Sequence, residues 1–178
     1  MDTPGFTKPS KLRSLVLASL FVALDIVFTR FFSVMLFGVE RVSLQFLATS
    51  LCGAMLGPLW GAAAAIVGDL LGMLINSAGL SYFPGFTLTA ALRGMTYGLL
   101  LHRRSVSYPR TLMAEAVVSL VLNLLLNSVW LSIFFGQGYL AVLALKLPFK
   151  LVVFPALAYL TYACLKALKK ARVFGAAS

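Results

Sequence analysis

The chain has 178 residues, 61% of them hydrophobic and 11% charged, with a formal net charge of +10. A soluble domain averages about 45–50% apolar and about 25% charged residues, and a soluble fold this apolar would leave large greasy patches in water. Composition therefore excludes an ordinary water-soluble protein, and a mean hydropathy of +0.97 points to lipid as the solvent.

A membrane-spanning helix needs about 20 residues. Six spans with short connections use nearly the whole chain, so residues 1–178 are expected to form one membrane-embedded binding domain. The first span covers 12–37, preceded by Ser10 and Lys11 and stopped by Gly38. Lys8, Lys11 and Arg13 before an apolar run resemble a signal peptide. The run is too long, carries Asp25 and Arg30 and lacks a cleavage site, so it reads as a retained helix. A polar connection, GVERVS, covers 38–43, and the second span covers 44–56. Gly57-Pro58 breaks the chain there, because proline lacks the N–H and constrains its neighbour. The third span covers 59–76, the loop SAGLSYFPG covers 77–85, and the fourth span covers 86–101. A basic loop, HRRSVSYPR, covers 102–110 and leads into the fifth span, 111–135. Gly136-Gln137-Gly138 turns the chain into the sixth span, 139–168, which Pro148 and Pro155 are expected to kink or divide.

Lys and Arg near the span ends set the orientation. The N-terminal flank (Lys8, Lys11, Arg13), the 102–110 loop (Arg103, Arg104, Arg110) and the tail (Lys166, Lys169, Lys170, Arg172) all fall on one side if there are six spans. The expected fold is thus an all-α polytopic membrane protein, with six transmembrane helices and cytoplasmic N and C termini. The basic residues act as topology signals and lipid headgroup contacts, so nucleic acid is not an expected partner. The spacings Gly53-x-x-x-Gly57-x-x-x-Gly61 and Gly68-x-x-x-Gly72 let helices approach closely. His102 stands alone at a helix end and reads as solvated or headgroup-facing. Trp60 and Trp130 read as members of the interfacial belts.

Ionisable groups within spans are costly, at least ~2.5–3.5 kcal/mol at a helix centre, and are expected to face a cavity, a partner or a ligand. Arg30, Asp69, Arg93, Asn123, Asn127, Lys146 and Lys150 come from five spans. At 1.5 Å per residue most of them lie roughly 10–17 Å below the outer surface. One layer holding four cations (Arg30, Arg93, Lys146, Lys150) against Asp69 suggests an outward-opening pocket for an anionic ligand. Lys146 and Lys150 are i,i+4 neighbours that repel unless an anion lies between them or one snorkels away. A second reading stays open: Asp69 with Arg93, and Asp25 with Arg30, pair internally and lock the bundle. Tyr82 and Phe83 in the outer loop either cap the pocket and stack on a flat ring or belong to the aromatic belt.

Catalytic and metal chemistry find little material. There is no G-x-x-x-x-G-K-S/T phosphate loop, no H-E-x-x-H and no G-x-S-x-G. The only acids are Asp2, Asp25, Glu40, Asp69 and Glu115, and Cys52 and Cys164 have no paired spacing. No catalytic residue, metal or cofactor is expected, and ATP would have to be used by a partner.

The blocks LCGAMLGPLWG at 51–61, VGDLLG at 67–72 and YFPGFTLTA at 82–90, followed by Leu92-Arg93-Gly94 and Tyr97-Gly98, resemble the folate-type S-component of energy-coupling factor (ECF) transporters. The resemblance covers nearly the whole chain. It implies a high-affinity vitamin binder in the bacterial cell membrane, working with a transmembrane coupling subunit and two ATPase subunits. It further implies that small residues of the first span (here Ser14, Ala18, Ser19 and Ala23, in loose register) dock on the coupling subunit while the protein topples. The outer loops 38–43 and 77–85 would gate the pocket. Folate suits the layer: its glutamate tail would meet Arg or Lys, and its pterin would stack on Phe83 or Phe86. Asp69, Asn123 or Asn127 would accept from the pterin amino edge. The alternatives are an S-component for riboflavin or thiamin, or a membrane enzyme or assembly chaperone. Thiamin is cationic and would be repelled, riboflavin is neutral and leaves the lysines unexplained, and the shortage of acids counts against an enzyme.

Overall fold

The structure, a computed structural model, describes residues 11–31, 33–36, 40–75, 82–136 and 138–170. Six helices form the body: α1 (Lys11–Arg30), α2 (Gln45–Leu56), α3 (Pro58–Ile75), α4 (Pro84–Leu101), α5 (Tyr108–Phe135) and α6 (Tyr139–Lys170). Four of them, α1, α3, α5 and α6, are long and apolar enough to cross a membrane; α2 is a shorter apolar helix of 12 residues. On α1 the buried positions Ser14, Ala18, Phe21 and Asp25 follow helical spacing, while Leu12, Leu15, Val16 and Leu20 face outward. The same inside-out pattern recurs at Leu74, Leu140 and Val152, all about four-fifths exposed. Small and polar residues share the interior with large apolar ones such as Phe21, Phe46, Tyr97 and Leu122, while other large aliphatics cover the surface, as suits a bundle in lipid.

The first span is a correction. Helix α1 stops at Arg30, and residues 33–43, expected as helix end and polar connection, contain a two-stranded antiparallel hairpin. Strand β1 (Ser33–Leu36) pairs with β2 (Glu40–Ser43) in the register Ser33↔Ser43 to Leu36↔Glu40. Periodicity alone does not separate a short apolar strand from helix. The other boundaries move by three residues or fewer. Pro84 and Pro109 start α4 and α5, where a missing N–H costs nothing. Of the kink or division expected in the last span, the division does not occur: α6 runs through Pro148 and Pro155 without interruption.

Gly57 separates α2 from α3 with φ 96°, a conformation that disfavours any side chain. The ring of His102 packs on it, and His102 Nδ1 donates to the Ala54 carbonyl at 3.0 Å. His102 is therefore half-buried and caps the end of α2, not solvated as its isolation in sequence suggested. Helices α2, α3 and α4 meet backbone to backbone through glycines. A Cβ built on Gly61 would stand 2.6 Å from the Gly94 carbonyl oxygen, and one on Gly53 2.8 Å from Gly98 N. Helix α5 is wound as π-helix from Val117 to Leu126. A wider π-turn disturbs the α-helical register and often marks a functional site.

Candidate binding site

Three clusters of side chains stand out. Two belong to the bundle core, and the third lies at the end where α4 begins and α5 ends.

The first cluster centres on Asp25. Its Oδ2 accepts from Gln45 Nε2 at 3.1 Å and its Oδ1 from Thr49 Oγ1 at 3.0 Å. The i,i+4 spacing of Gln45 and Thr49 puts both on the face of α2 that meets α1. A Cβ on Gly68 would lie 2.8 Å from Asp25 Oδ2, and one on Gly72 2.9 Å from Arg30 Nε. The Gly68/Gly72 pair on α3 thus makes room for the carboxylate and the guanidinium of α1, rather than for bare helix packing. A water-sized cavity beside Asp25 is lined by Thr49, Cys52 and Gly61 among others.

The second cluster centres on Glu115, only 1% exposed. Tyr97 Oη donates to Oε2 at 2.6 Å and Ser119 Oγ to Oε1 at 3.1 Å. Arg93 Nε is buried without a hydrogen bond.

The third cluster is aromatic. Phe83 packs against Phe86 at 5.5 Å, Trp130 at 5.8 Å and Phe134 at 6.0 Å between ring centroids, all edge-on or tilted. Trp130 Nε1 donates to Thr89 Oγ1 at 3.1 Å. Trp130 is half-buried and packs into this cluster. Gly85 is needed beneath these rings, since a Cβ there would meet Phe83 and Trp130 within 2.6 Å. In the same turn as Phe86, Thr87 Oγ1 donates to Asp69 Oδ2 at 2.7 Å, and the Tyr82 hydroxyl lies 3.3 Å from Thr87 Oγ1. Asp69 of α3 is thereby tied to the turn of α4 that carries Phe86.

None of the remaining residues expected at the ligand site is exposed. Arg30, Arg93, Asn123 and Asn127 are half-buried; Lys146 (2% exposed) and Lys150 (9%) are buried and make contacts within the protein. Asn123 lies in the π-helical stretch and Asn127 directly follows it. The docking set divides: Ser19 and Ala23 are exposed on α1, whereas Ser14 and Ala18 are buried inside the bundle. Thr87, Thr89, Trp130, Phe134, Gln45 and the Tyr97–Glu115–Ser119 triad were not expected. Thr87 and Thr89 lay within the YFPGFTLTA block, and Trp130 is three residues after Asn127 on the same face.

A sequence profile of the family described as "ECF transporter, substrate-specific component" matches residues 13–165. The chain belongs to this family. As a substrate-specific component it is membrane-embedded and serves transport, not catalysis. It is similar to the folate transporter FolT of Clostridium novyi (strain NT), with 31% identity over 92% of this chain and 94% of that protein. FolT of Leuconostoc mesenteroides subsp. mesenteroides is 30% identical over 84% of this chain and 83% of that one. A crystal structure of FolT bound with folic acid superposes with a TM-score of 0.77 at 33% identity, covering 84% of this chain and 90% of the other.

Proposed function

We infer that this substrate-specific component binds folate from outside a bacterial cell and delivers it through an ECF-type ATP-driven importer. The observation that carries the reading is the aromatic cluster of Phe83, Phe86, Trp130 and Phe134, with Asp69 tied to the turn that carries Phe86, in an interior that also holds buried cations. A pterin is flat, with a donor edge; the glutamate tail is dianionic. Phe83 and Phe86 offer the stack, and Asp69, Asn123 or Asn127 offers acceptors. Arg30, Arg93, Lys146 and Lys150 offer the countercharge. The buried Nε of Arg93 supports a ligand role for that residue, because an unmet donor in the interior costs about 1–3 kcal/mol. The folate names of its relatives point the same way.

Both termini lie on the cytoplasmic side in this reading, with the hairpin and the aromatic cluster outside. The chain has no phosphate-binding loop, so a coupling subunit and two ATPases supply the power. The exposed small residues Ser19 and Ala23 on α1 form the docking face. Ser14 and Ala18 would join it only if α1 rotated.

Calorimetric titration of the detergent-purified chain with folate, riboflavin and thiamin tests the reading. Submicromolar folate binding without ATP, and no heat from the other two, is the expected result. Binding of riboflavin or thiamin with no response to folate would overturn it.

A further inference from the structure

At the end opposite the hairpin, α5 begins against the last third of α6. Tyr108 packs between Tyr159 and Tyr162, with ring centroids 6.4 and 6.0 Å apart. Lys166 Nζ lies 5.6 Å from the centroid of Tyr162, within the reach of a cation–π contact. Tyr108 and Tyr159 are 37% and 64% exposed, and Lys166 is exposed too. Tyr108 thus touches both other tyrosines, and Tyr162 carries a lysine over its ring.

The loop before α5 adds charge. Arg103 adopts φ 54°, uncommon for a residue with a side chain, and Arg103 and Arg104 are both exposed. Arg110 Nη1 donates to Ser105 O at 3.2 Å and to Ser105 Oγ at 3.0 Å, which ties the loop to the first turn of α5. No acidic residue offsets the charge in that turn. The next acid along α5 is Glu115, buried and bonded to Tyr97 and Ser119.

We propose that Tyr108, Tyr159, Tyr162 and Lys166 form a binding site for the headgroup of an anionic phospholipid, with Arg103 and Arg104 at its rim. The rings sit at the depth of the lipid glycerol, their hydroxyls and the ammonium meet the phosphate, and the surplus of positive charge selects an anionic over a zwitterionic lipid. The site lies at the end of the bundle away from the aromatic cluster and does not depend on what that cluster binds.

The test is native mass spectrometry of the full-length chain in detergent, with equal phosphatidylglycerol and phosphatidylcholine. The wild type is expected to keep phosphatidylglycerol in preference. Lys166→Gln and Tyr162→Leu should each weaken its retention about fivefold, while Lys166→Arg retains it. Lys11→Gln, at an exposed basic residue of α1 outside the tyrosine cluster, should weaken retention far less. Equal retention of the two lipids by the wild type would overturn the site. So would undiminished phosphatidylglycerol in Lys166→Gln and Tyr162→Leu, or an equal loss in Lys11→Gln.

Discussion

Gly94→Ala places one methyl group where the backbone of α3 already stands. A Cβ on Gly94 runs into the Gly61 carbonyl and comes within 3.0 Å of Ala62 N; the reciprocal Cβ on Gly61 is 2.6 Å from Gly94 O. Ordinary contact begins near 3.4 Å, so α3 and α4 would have to separate by about 1 Å. The obstacle is backbone, which no rotamer change relieves. Overpacking of this kind costs about 1–3 kcal/mol. At about 2–4 °C per kcal/mol for a chain of this length, Tm falls by about 2–12 °C. The displacement also reaches the binding residues, because Arg93 adjoins Gly94 and Asp69 lies further along α3. Folate affinity should drop by about tenfold, the lower end of what one charge-assisted hydrogen bond contributes. Gly138→Ala is the control: nothing lies within 4 Å of its Cβ and its φ is not positive, so a change within about 0.5 kcal/mol is expected. Thermal unfolding followed by size-exclusion chromatography, with folate calorimetry on the same samples, reads both effects. If Gly94→Ala unfolds with Gly138→Ala and binds folate as the wild type does, the close glycine crossing is not what holds α3 against α4.

Tyr97→Phe removes the donor to a buried carboxylate oxygen and should destabilise by about 1–3 kcal/mol in thermal unfolding; an unchanged Tm would count against the Glu115 cluster. Asp25→Ala takes the acceptor from Gln45 and Thr49, whereas Asp25→Asn keeps one oxygen. The alanine variant should therefore unfold at a lower temperature than the asparagine variant, and the reverse order would mean that the negative charge matters more than the hydrogen bonds. Folate should quench tryptophan emission through Trp130, so Trp130→Phe abolishes the quench and Trp60→Phe leaves it. Loss of the signal in Trp60→Phe alone would move the ligand away from the aromatic cluster.

Six helices were legible because their apolar runs are long and their breaks are chemical: Gly57-Pro58, Pro84, Pro109 and Gly136. The hairpin was not, since residues 33–36 continue an apolar run and hydropathy is blind to backbone pairing. An ionisable side chain within a span is costly in lipid whichever way its helix turns, so its avoidance of the surface could be anticipated from residue type and depth; Asp25, Glu115, Lys146 and Lys150 are buried. Their partners were hidden, as partners depend on helix rotation. Gln45 and Thr49 meet Asp25 only because α2 presents that face to α1. Tyr97 meets Glu115 across two helices joined by a basic loop. The small-residue argument for α1 failed to separate Ser14 and Ala18 from Ser19 and Ala23 for the same reason: size says that a helix can be approached, and rotation decides from which side.

At 1.5 Å per residue, α2 is about 18 Å long and α6 about 48 Å, against a hydrocarbon slab of about 30 Å. Helix α2 meets little of that slab, since nine of its twelve residues are buried and none is exposed, whereas α6 exposes residues along its length and must tilt or stand proud of the hydrocarbon. Each ångström of such mismatch carries a fraction of a kcal/mol, so the resting tilt of the whole molecule becomes a function of acyl-chain length. Membrane thickness is then a mechanical variable to which this chain is sensitive even when its binding site is left untouched.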